Sequence, residues 1–546
     1  MATGVRTASA GAAALRGVAA VVVGVGSAEL VAGLLPSHPS PLAAVAGALV
    51  DIAPGWAKEL AIEWFGTADK AVLVAVTVVV VLGIGAVAGL LERRRPPSGS
   101  WVLALLGVLA LLVPAVRGTG VLGLLPGLVA TVLALLVFRL LPQVGRRARR
   151  APGVSTARFA PSEDGSEPEP EPEPEPGSGP DREREPQPGG ASRRAFLAWA
   201  GGLTAAGVLA AVAGTTMSGL LRTRDAVAGV LRLPRPRTTL PPVPAGAELG
   251  IDGLAPVVTP VADFYRVDTA FIVPQLSADD WRLRVHGLVD APFELGWEDL
   301  VALDFEEFDM TLMCVSNPVG GSYTGNARWL GTRLRPLIER AAPHAEADMV
   351  LSSSVDGWTA STPLEALRDP DRAAILAVAM NGEALPPEHG APVRMVVPGL
   401  YGYVSATKWV VDLEVTRFDE RTAYWTDRGW APRGPVKLQS RIDVPRVGRD
   451  LSAGPTSIAG VAWYQHVGVA GVEVRVDGGD WRPAELATSL GVDTWVQWRL
   501  DWEAEPGVHR IAVRAIGANG EVQTDARAGV VPDGATGHHT ISIGVA

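Results

Sequence analysis

Cysteine is almost absent from this chain: one residue, Cys314, in 546. A single cysteine excludes an internal disulfide framework and any Cys₄ or Cys₂His₂ zinc site, and with no C-x-x-C-H it excludes covalently attached c-type haem. Histidine is scarce too, with eight in the whole chain. None falls in the long apolar runs, since His38 lies between two of them, and a haem held between bundle helices needs axial imidazoles or their equivalents. A b-type cytochrome bundle does not fit. The formal net charge of −10 is modest for this length and offers no basic patch for nucleic acid. Much of that excess sits in one acidic run, so it says little about a substrate.

Apolar residues, at 48%, are plentiful, and the mean hydropathy is positive. Part of the chain therefore belongs in lipid, and 546 residues exceed one ordinary domain. Residues 14–35, 71–91, 101–116 and 119–141 are runs near the ~20 residues that a spanning helix needs. Arg6 and Arg16 flank the first, Arg93 to Arg95 follow the second, and Arg139, Arg146, Arg147, Arg149 and Arg150 follow the fourth. The positive-inside rule places those ends in the cytoplasm and residues 36–70, with their acidic excess, outside as an interfacial segment. Glu29 falls within the first run, as a functional polar site or as a residue reaching the headgroups. A transporter built on Glu29 is one reading, resting on four short-looped helices and one acid.

Residues 151–191 change composition abruptly, with Glu and Pro alternating from Glu167 to Pro176. Missing donors, like charges and nothing apolar to bury predict an extended, disordered cytoplasmic linker. Ser192-Arg193-Arg194-Ala195-Phe196-Leu197 then precedes an apolar run from Ala198 to Leu221. An arginine pair ahead of a glycine-containing apolar stretch is similar to a twin-arginine export signal, and the same arginines suit the inner flank of a fifth helix. Ala211-Val212-Ala213 is the nearest thing to a cleavage motif, and the segment is read as an uncleaved anchor over 192–221. Five spans with the N-terminus inside place everything beyond residue 222 outside the cell membrane.

Residues 222–250 are rich in Pro and Arg and suit an extended arm. From Trp281 the pattern turns regular: Trp281 to His286 alternates as a half-buried strand, Trp297 to Leu303 suits a short helix, and Leu330 to Ala342 has helical spacing. Met349 to Ser353, Ala373 to Met380, Val393 to Val397 and Lys408 to Val415 read as strands, with a turn at Asn381-Gly382. This makes an α+β domain over 251–434. Residues 435–546 carry short alternating strands and turn signals such as Asp477-Gly478-Gly479, the spacing of an immunoglobulin-like β-sandwich. The fold class is multi-domain: an α-helical membrane bundle over 1–150, the α+β domain, then the all-β sandwich.

Cys314 closes a strand, Met310 to Val315, and Ser316-Asn317-Pro318 with Gly320-Gly321 forms the loop after it. An isolated cysteine is commonly a small buried hydrophobe. In an exported protein it is otherwise a thiol kept for intermolecular pairing or for chemistry.

Spaced motifs over residues 250–546 resemble the sulfite oxidase family of molybdopterin-dependent oxidoreductases. They are VADFYRVDTAFIVP at 261–274, LRVHGLVDAPFEL at 283–295, TLMCVSNPVGG at 311–321, NARWLGTRLRPLIERA at 326–341 and MNGEALPPEHGAPVRMVVPGLYGYVSATKW at 380–409. GVAWYQHVGVAGVEVRVDGGDW at 460–481 is similar to that family's dimerisation domain. The resemblance implies a molybdenum–molybdopterin cofactor with Cys314 as its thiolate ligand, a soft donor for a metal already bound by sulfur. His389, Arg394 and Lys408 match cofactor-binding residues of the family, with Tyr265 and Arg266 in the segment over the cofactor. Arginine and lysine suit the pterin's phosphate, and histidine its ring edge.

Two features depart from the family. Its arginines after the cysteine motif are replaced by Pro318 and Val319, and residues 424–430 do not supply its tyrosine. The expected function is two-electron oxygen-atom transfer on a small molecule, sulfite or an S- or N-oxide, with an external electron carrier or the quinone pool as partner and a homodimer as the assembly. The rival is a catalytically inactive extracytoplasmic binding module of the same fold.

Overall fold

The computed structural model describes residues 10–35, 40–53, 64, 69–116, 121–141, 193–228, 233–270, 273–448 and 451–546. The acidic linker expected at 151–191 lies outside them. Two compact units divide the chain, residues 1–222 and 223–546.

Five helices of the first unit are long and apolar enough to cross a membrane: Ala10–Gly33, Val72–Arg94, Ser98–Ala115, Leu122–Leu140 and Ala195–Met217. The first starts four residues before the apolar run because Ala10 to Ala13 are small helix formers that extend it. A further helix, Pro41–Ile52, lies in the segment expected to be interfacial. Backbones approach closely where glycines meet. Gly17 packs against Gly85 and Gly89, Gly26 against Gly207 and Gly33 against Gly214, and an added Cβ at any of the three would enter the facing backbone. Small residues that let backbones touch are how helices associate in lipid, where apolar burial offers little drive. The last helix continues to Ala228, seven residues into the expected arm, and residues 233–250 then run without helix.

Two five-stranded sheets build the first half of the second unit. One has the order β2-β1-β10-β5-β6, from β1 (Arg282–Gly287), β2 (Phe293–Gly296), β5 (Met349–Ser354), β6 (Thr359–Pro363) and β10 (Val410–Thr416). Its β1 and β10 are parallel and its other pairs antiparallel. The other has the order β3-β4-β7-β8, from β3 (Glu306–Met313), β4 (Thr324–Arg333), β7 (Ile375–Met380) and β8 (Glu383–Ala384), with β9 (Arg394–Val396) also paired to β7. β7, ILAVAM, is buried at every residue, as a continuous apolar run predicts for a strand covered on both faces. The Asn381-Gly382 turn forms with both residues at positive φ, 52° and 82°, closing the β7–β8 hairpin.

The helix expected over Leu330 to Ala342 is shorter. Leu330 to Arg333 extend β4 between β3 and β7, and the helix is Leu334–Ala341. Pairing on both edges overrides local spacing here.

The C-terminal part is a two-sheet sandwich. β11 (Gln439–Val444), β12 (Gly454–Trp463), β16 (Val496–Ala504) and β15 (Glu485–Leu486) form one sheet. β14 (Arg482–Pro483), β13 (Val469–Val476), β17 (Gly507–Gly517) and β18 (His539–Val545) form the other. Ile458, Val474, Trp498, Ile511 and Ile543 fill the space between them. Residues 237–257 strap both halves: Arg237 N donates to Phe305 O, Leu249 N to Gln497 and Ala255 N to Asp443.

Candidate active site

Cys314 is the first residue past β3. Its N–H donates to Tyr323 O at 3.0 Å and its carbonyl accepts Asn317 N–H at 3.1 Å, so the chain turns at once. Asn317 Oδ1 accepts Tyr323 N–H at 2.8 Å, pinning the loop shut. The Sγ lies 2.9 Å from Ser316 Oγ, and the residue is 9% exposed. A strand of alternating contacts with β4 therefore carries the sulfur to an edge and a short asparagine-stapled loop holds it there.

Lys408 and Arg394 come from opposite ends of the sequence segment 390–409 and meet at Gly390. That glycine has φ +107°, and an added Cβ would lie 3.0 Å from the Cβ atoms of both Arg394 and Lys408. Only glycine allows so close a passage. Gly390 caps the short turn Pro387–His389, which delivers His389 to the same place. Arg394 is buried, lies 5.2 Å over the Trp329 ring and donates to His389 O at 3.1 Å. Among the described residues it makes no ion pair. Lys408 Nζ donates to Asp268 Oδ2 and to Glu388 O, each at 2.9 Å, and Arg266 Nε reaches the same Asp268 oxygen at 3.1 Å. Tyr265 stacks on Phe264 at 5.3 Å, and Phe264 meets His389 edge-on at 5.8 Å.

The electrostatics tie these groups together. Burial pulls Lys408 down to about 8, against the attraction of Asp268, and pulls Arg394 down to about 10. His389 is lowered to about 4 by burial first and then by Arg394 and Lys408, so it is neutral at pH 7. Burial raises the Cys314 thiol, while Ser316 and then Lys408 pull it back. Tyr265 is raised by burial, with the Cys314 sulfur adding to the effect. Cys314, His389, Arg394 and Lys408 are thus buried together, with Tyr265 half-buried beside them and Arg266 reaching in from the surface through Asp268.

Three cations face one carboxylate there, a balance that wants an anion. Arg394 donates to the carbonyls of Met395, His389 and Ala406 but pairs with no carboxylate among the described residues, and Asn317 Nδ2 is a buried donor without a protein partner. A phosphate-bearing, thiolate-rich group fits this donor set, and a metal cation at the sulfur would favour the thiolate that burial opposes. Three members were not found from sequence: Ser316 on the thiol, Asp268 on Lys408, and Tyr401, whose hydroxyl is raised to about 12 by burial and more weakly by Cys314. Ser316, Tyr401 and Asp268 all lie inside the quoted motifs. Asp268 joins Lys408 across 140 residues.

The family described as "Oxidoreductase molybdopterin binding domain" matches residues 270–425. The uncharacterized oxidoreductase YuiH of Bacillus subtilis is 37% identical over 154 residues, 28% of this chain and 74% of that protein. The mitochondrial sulfite oxidase of Homo sapiens is 31% identical over 256 residues, 39% of this chain and 47% of its own. The chain belongs to the sulfite oxidase family of molybdopterin-dependent oxidoreductases. As a member of that family it is a molybdenum-cofactor enzyme. It spans about half the length of the sulfite oxidases it matches. The NADH nitrate reductase of Solanum lycopersicum is also similar, at 30% identity over 193 residues, 31% of this chain and 21% of that one.

Proposed function

We propose that this protein is a membrane-anchored enzyme whose soluble unit lies outside the cell, where Cys314 ligates molybdenum and the site moves an oxygen atom to or from a small molecule. The observation that carries the reading is the convergence of one buried thiol, Cys314, with Lys408 and with Arg394, which pairs with no carboxylate among the described residues. The cofactor supplies a metal that cycles by two electrons and accepts or donates oxygen.

The chain's residues supply the rest. Lys408 and Arg394 would hold the phosphate of the cofactor, with Arg394 fixed by Trp329 and His389 O. Neutral His389 would offer a ring nitrogen to the bound cofactor. Ser316 Oγ, 2.9 Å from the Cys314 sulfur, would favour the thiolate form that burial opposes. Tyr265 and Phe264 cover the cluster with aromatic surface and limit water. Asp268 orients Lys408 and keeps its ammonium charged in a buried place.

Arg193 and Arg194, opening the last long helix, support export by the twin-arginine route, and Arg93, Arg94 and Arg139 support cytoplasmic ends for their helices. Sulfite and S- or N-oxides are the substrate classes, and electrons pass to or from an external carrier or the quinone pool. The sandwich over 435–546 is read as an immunoglobulin-like dimerisation domain.

Metal analysis of the full-length protein and of Cys314→Ser, both expressed with cofactor biosynthesis intact, tests the reading. About one molybdenum per chain in the wild type and a sharp loss in the variant support it. A wild type without metal supports the binding module instead.

A further inference from the structure

β3 stands at the edge of its sheet, so the backbone groups along its outer side need partners other than β4. At Thr311, three residues before Cys314, the sandwich supplies them. Thr311 N–H donates to Asp493 O at 2.9 Å, and Thr311 O accepts from Gln465 Nε2 at 3.3 Å. The side chain is held as well: its hydroxyl donates to Asn326 Oδ1 at 3.0 Å and accepts Trp495 N–H at 2.8 Å. Asn326 Nδ2 and Trp495 Nε1 both donate to Val257 O, at 2.8 and 2.9 Å, which closes a ring of hydrogen bonds through β4, the sandwich and the 237–257 strap. Thr311, Asn326, Gln465 and Trp495 are each at most 3% exposed, so water does not compete for these bonds. On the other side of the cysteine, Arg441 Nη1 donates to Gly321 O at 3.0 Å. The sandwich therefore holds the cysteine segment at two points, one before the sulfur and one after it.

We infer that Thr311 is a positioning residue for Cys314: through it the sandwich fixes the end of β3 and, with it, the place of the sulfur. Only Leu312 and Met313 separate the two residues, both buried and neither of them glycine or proline, so a movement of the strand at Thr311 passes to Cys314. Pairing with β4 on one side alone leaves an edge strand free to fray from its end. The bonds to Asp493, Gln465 and Trp495 remove that freedom from the outer side. A sulfur that serves as a metal ligand has to be held to within about 0.5 Å, and packing around the ligand is what holds it. The consequence for the metal rests on the molybdenum reading, whereas the placement of the sulfur is open to measurement without the cofactor.

Full-length wild type, Thr311→Val, Thr311→Ser, Gln465→Met and Val474→Ala test it, each prepared cofactor-free and loaded. Thr311→Val keeps the shape and removes the hydroxyl, while Thr311→Ser keeps the hydroxyl. Gln465→Met removes the bond to Thr311 O from the sandwich side, and its Oε1 has no hydrogen-bond partner to lose. Val474→Ala opens a cavity in the sandwich core, outside the ring, and controls for a general loss of stability. In cofactor-free protein the readouts are hydrogen exchange of the Leu312 to Cys314 amides and the rate of Cys314 alkylation by iodoacetamide without denaturant. In loaded protein the readout is the rate of molybdenum loss on dialysis. Thr311→Val and Gln465→Met should each exchange, alkylate and lose metal about fivefold faster than wild type, the scale of one buried hydrogen bond. Thr311→Ser and Val474→Ala should stay close to wild type. Exchange and alkylation unchanged in both Thr311→Val and Gln465→Met, or as fast in Val474→Ala as in Thr311→Val, overturn the inference. Wild type that takes up no molybdenum removes the molybdenum reading, and exchange and alkylation then decide the positioning role by themselves.

Discussion

Gly390 lets Arg394 and Lys408 pass within reach of one another: a Cβ at that position would sit 3.0 Å from the Cβ of each. The cationic half of the site is thus built on an absent side chain. Gly390→Ala adds both crowding and a strained φ of +107°. It is expected to cost roughly 2–4 kcal/mol of stability and to lower the cofactor content of purified protein. Urea denaturation and pterin analysis check both. A variant of wild-type stability with a full cofactor load would show that the packing has slack.

Lys408 gives the site a pH limit. In the cofactor-free protein its pKa is lowered from 10.5 to about 8, so between those values the folded chain holds fewer protons than the unfolded one, and stability contributed by this group rises with pH across that window. Anion binding goes the other way, because the ammonium that receives a phosphate is lost as pH rises through about 8. Phosphate affinity of the cofactor-free protein should fall above pH 8 in the wild type. Lys408→Gln should bind weakly at every pH, which calorimetry at a series of pH values reads directly.

His389 sets the opposite edge. With its pKa lowered from 6.5 to about 4, the folded protein resists a proton that the unfolded chain accepts. Its contribution is intact above about pH 6.5 and is lost as pH falls toward 4, on the order of 3 kcal/mol in full. His389→Gln should flatten the pH dependence of the urea midpoint between 6.5 and 4. An unchanged slope would place the acid sensitivity elsewhere.

The hydrogen bond from Ser316 favours the Cys314 thiolate, while burial opposes it. Ser316→Ala removes the favourable contribution and leaves the burial. Alkylation of Cys314 in cofactor-free protein, followed by mass spectrometry, should be several-fold slower in the variant near neutral pH. A faster reaction would mean that the hydroxyl shields the sulfur more than it activates it.

The position of Cys314 was legible because an apolar strand ended against Ser-Asn-Pro, and local signals of that kind survive folding. The β7 strand and its Asn-Gly turn were legible for the same reason. Leu330 to Arg333 were not, because their spacing fits a helix and only pairing with β3 and β7 makes them strand. The role of Asp268 was beyond reach of sequence although the residue lies in the motif at 261–274, since the contact with Lys408 that gives it meaning joins residues 140 positions apart. His389, Arg394 and Lys408 came from motif order, and their convergence on Gly390 shows the physical reason that order is needed.

The central claim is sulfur ligation of molybdenum by Cys314, and X-ray absorption at the molybdenum edge tests it most directly. Cys314→Ser protein that still holds some metal should show one fewer sulfur neighbour than the wild type. Identical sulfur coordination in the two proteins would contradict the account.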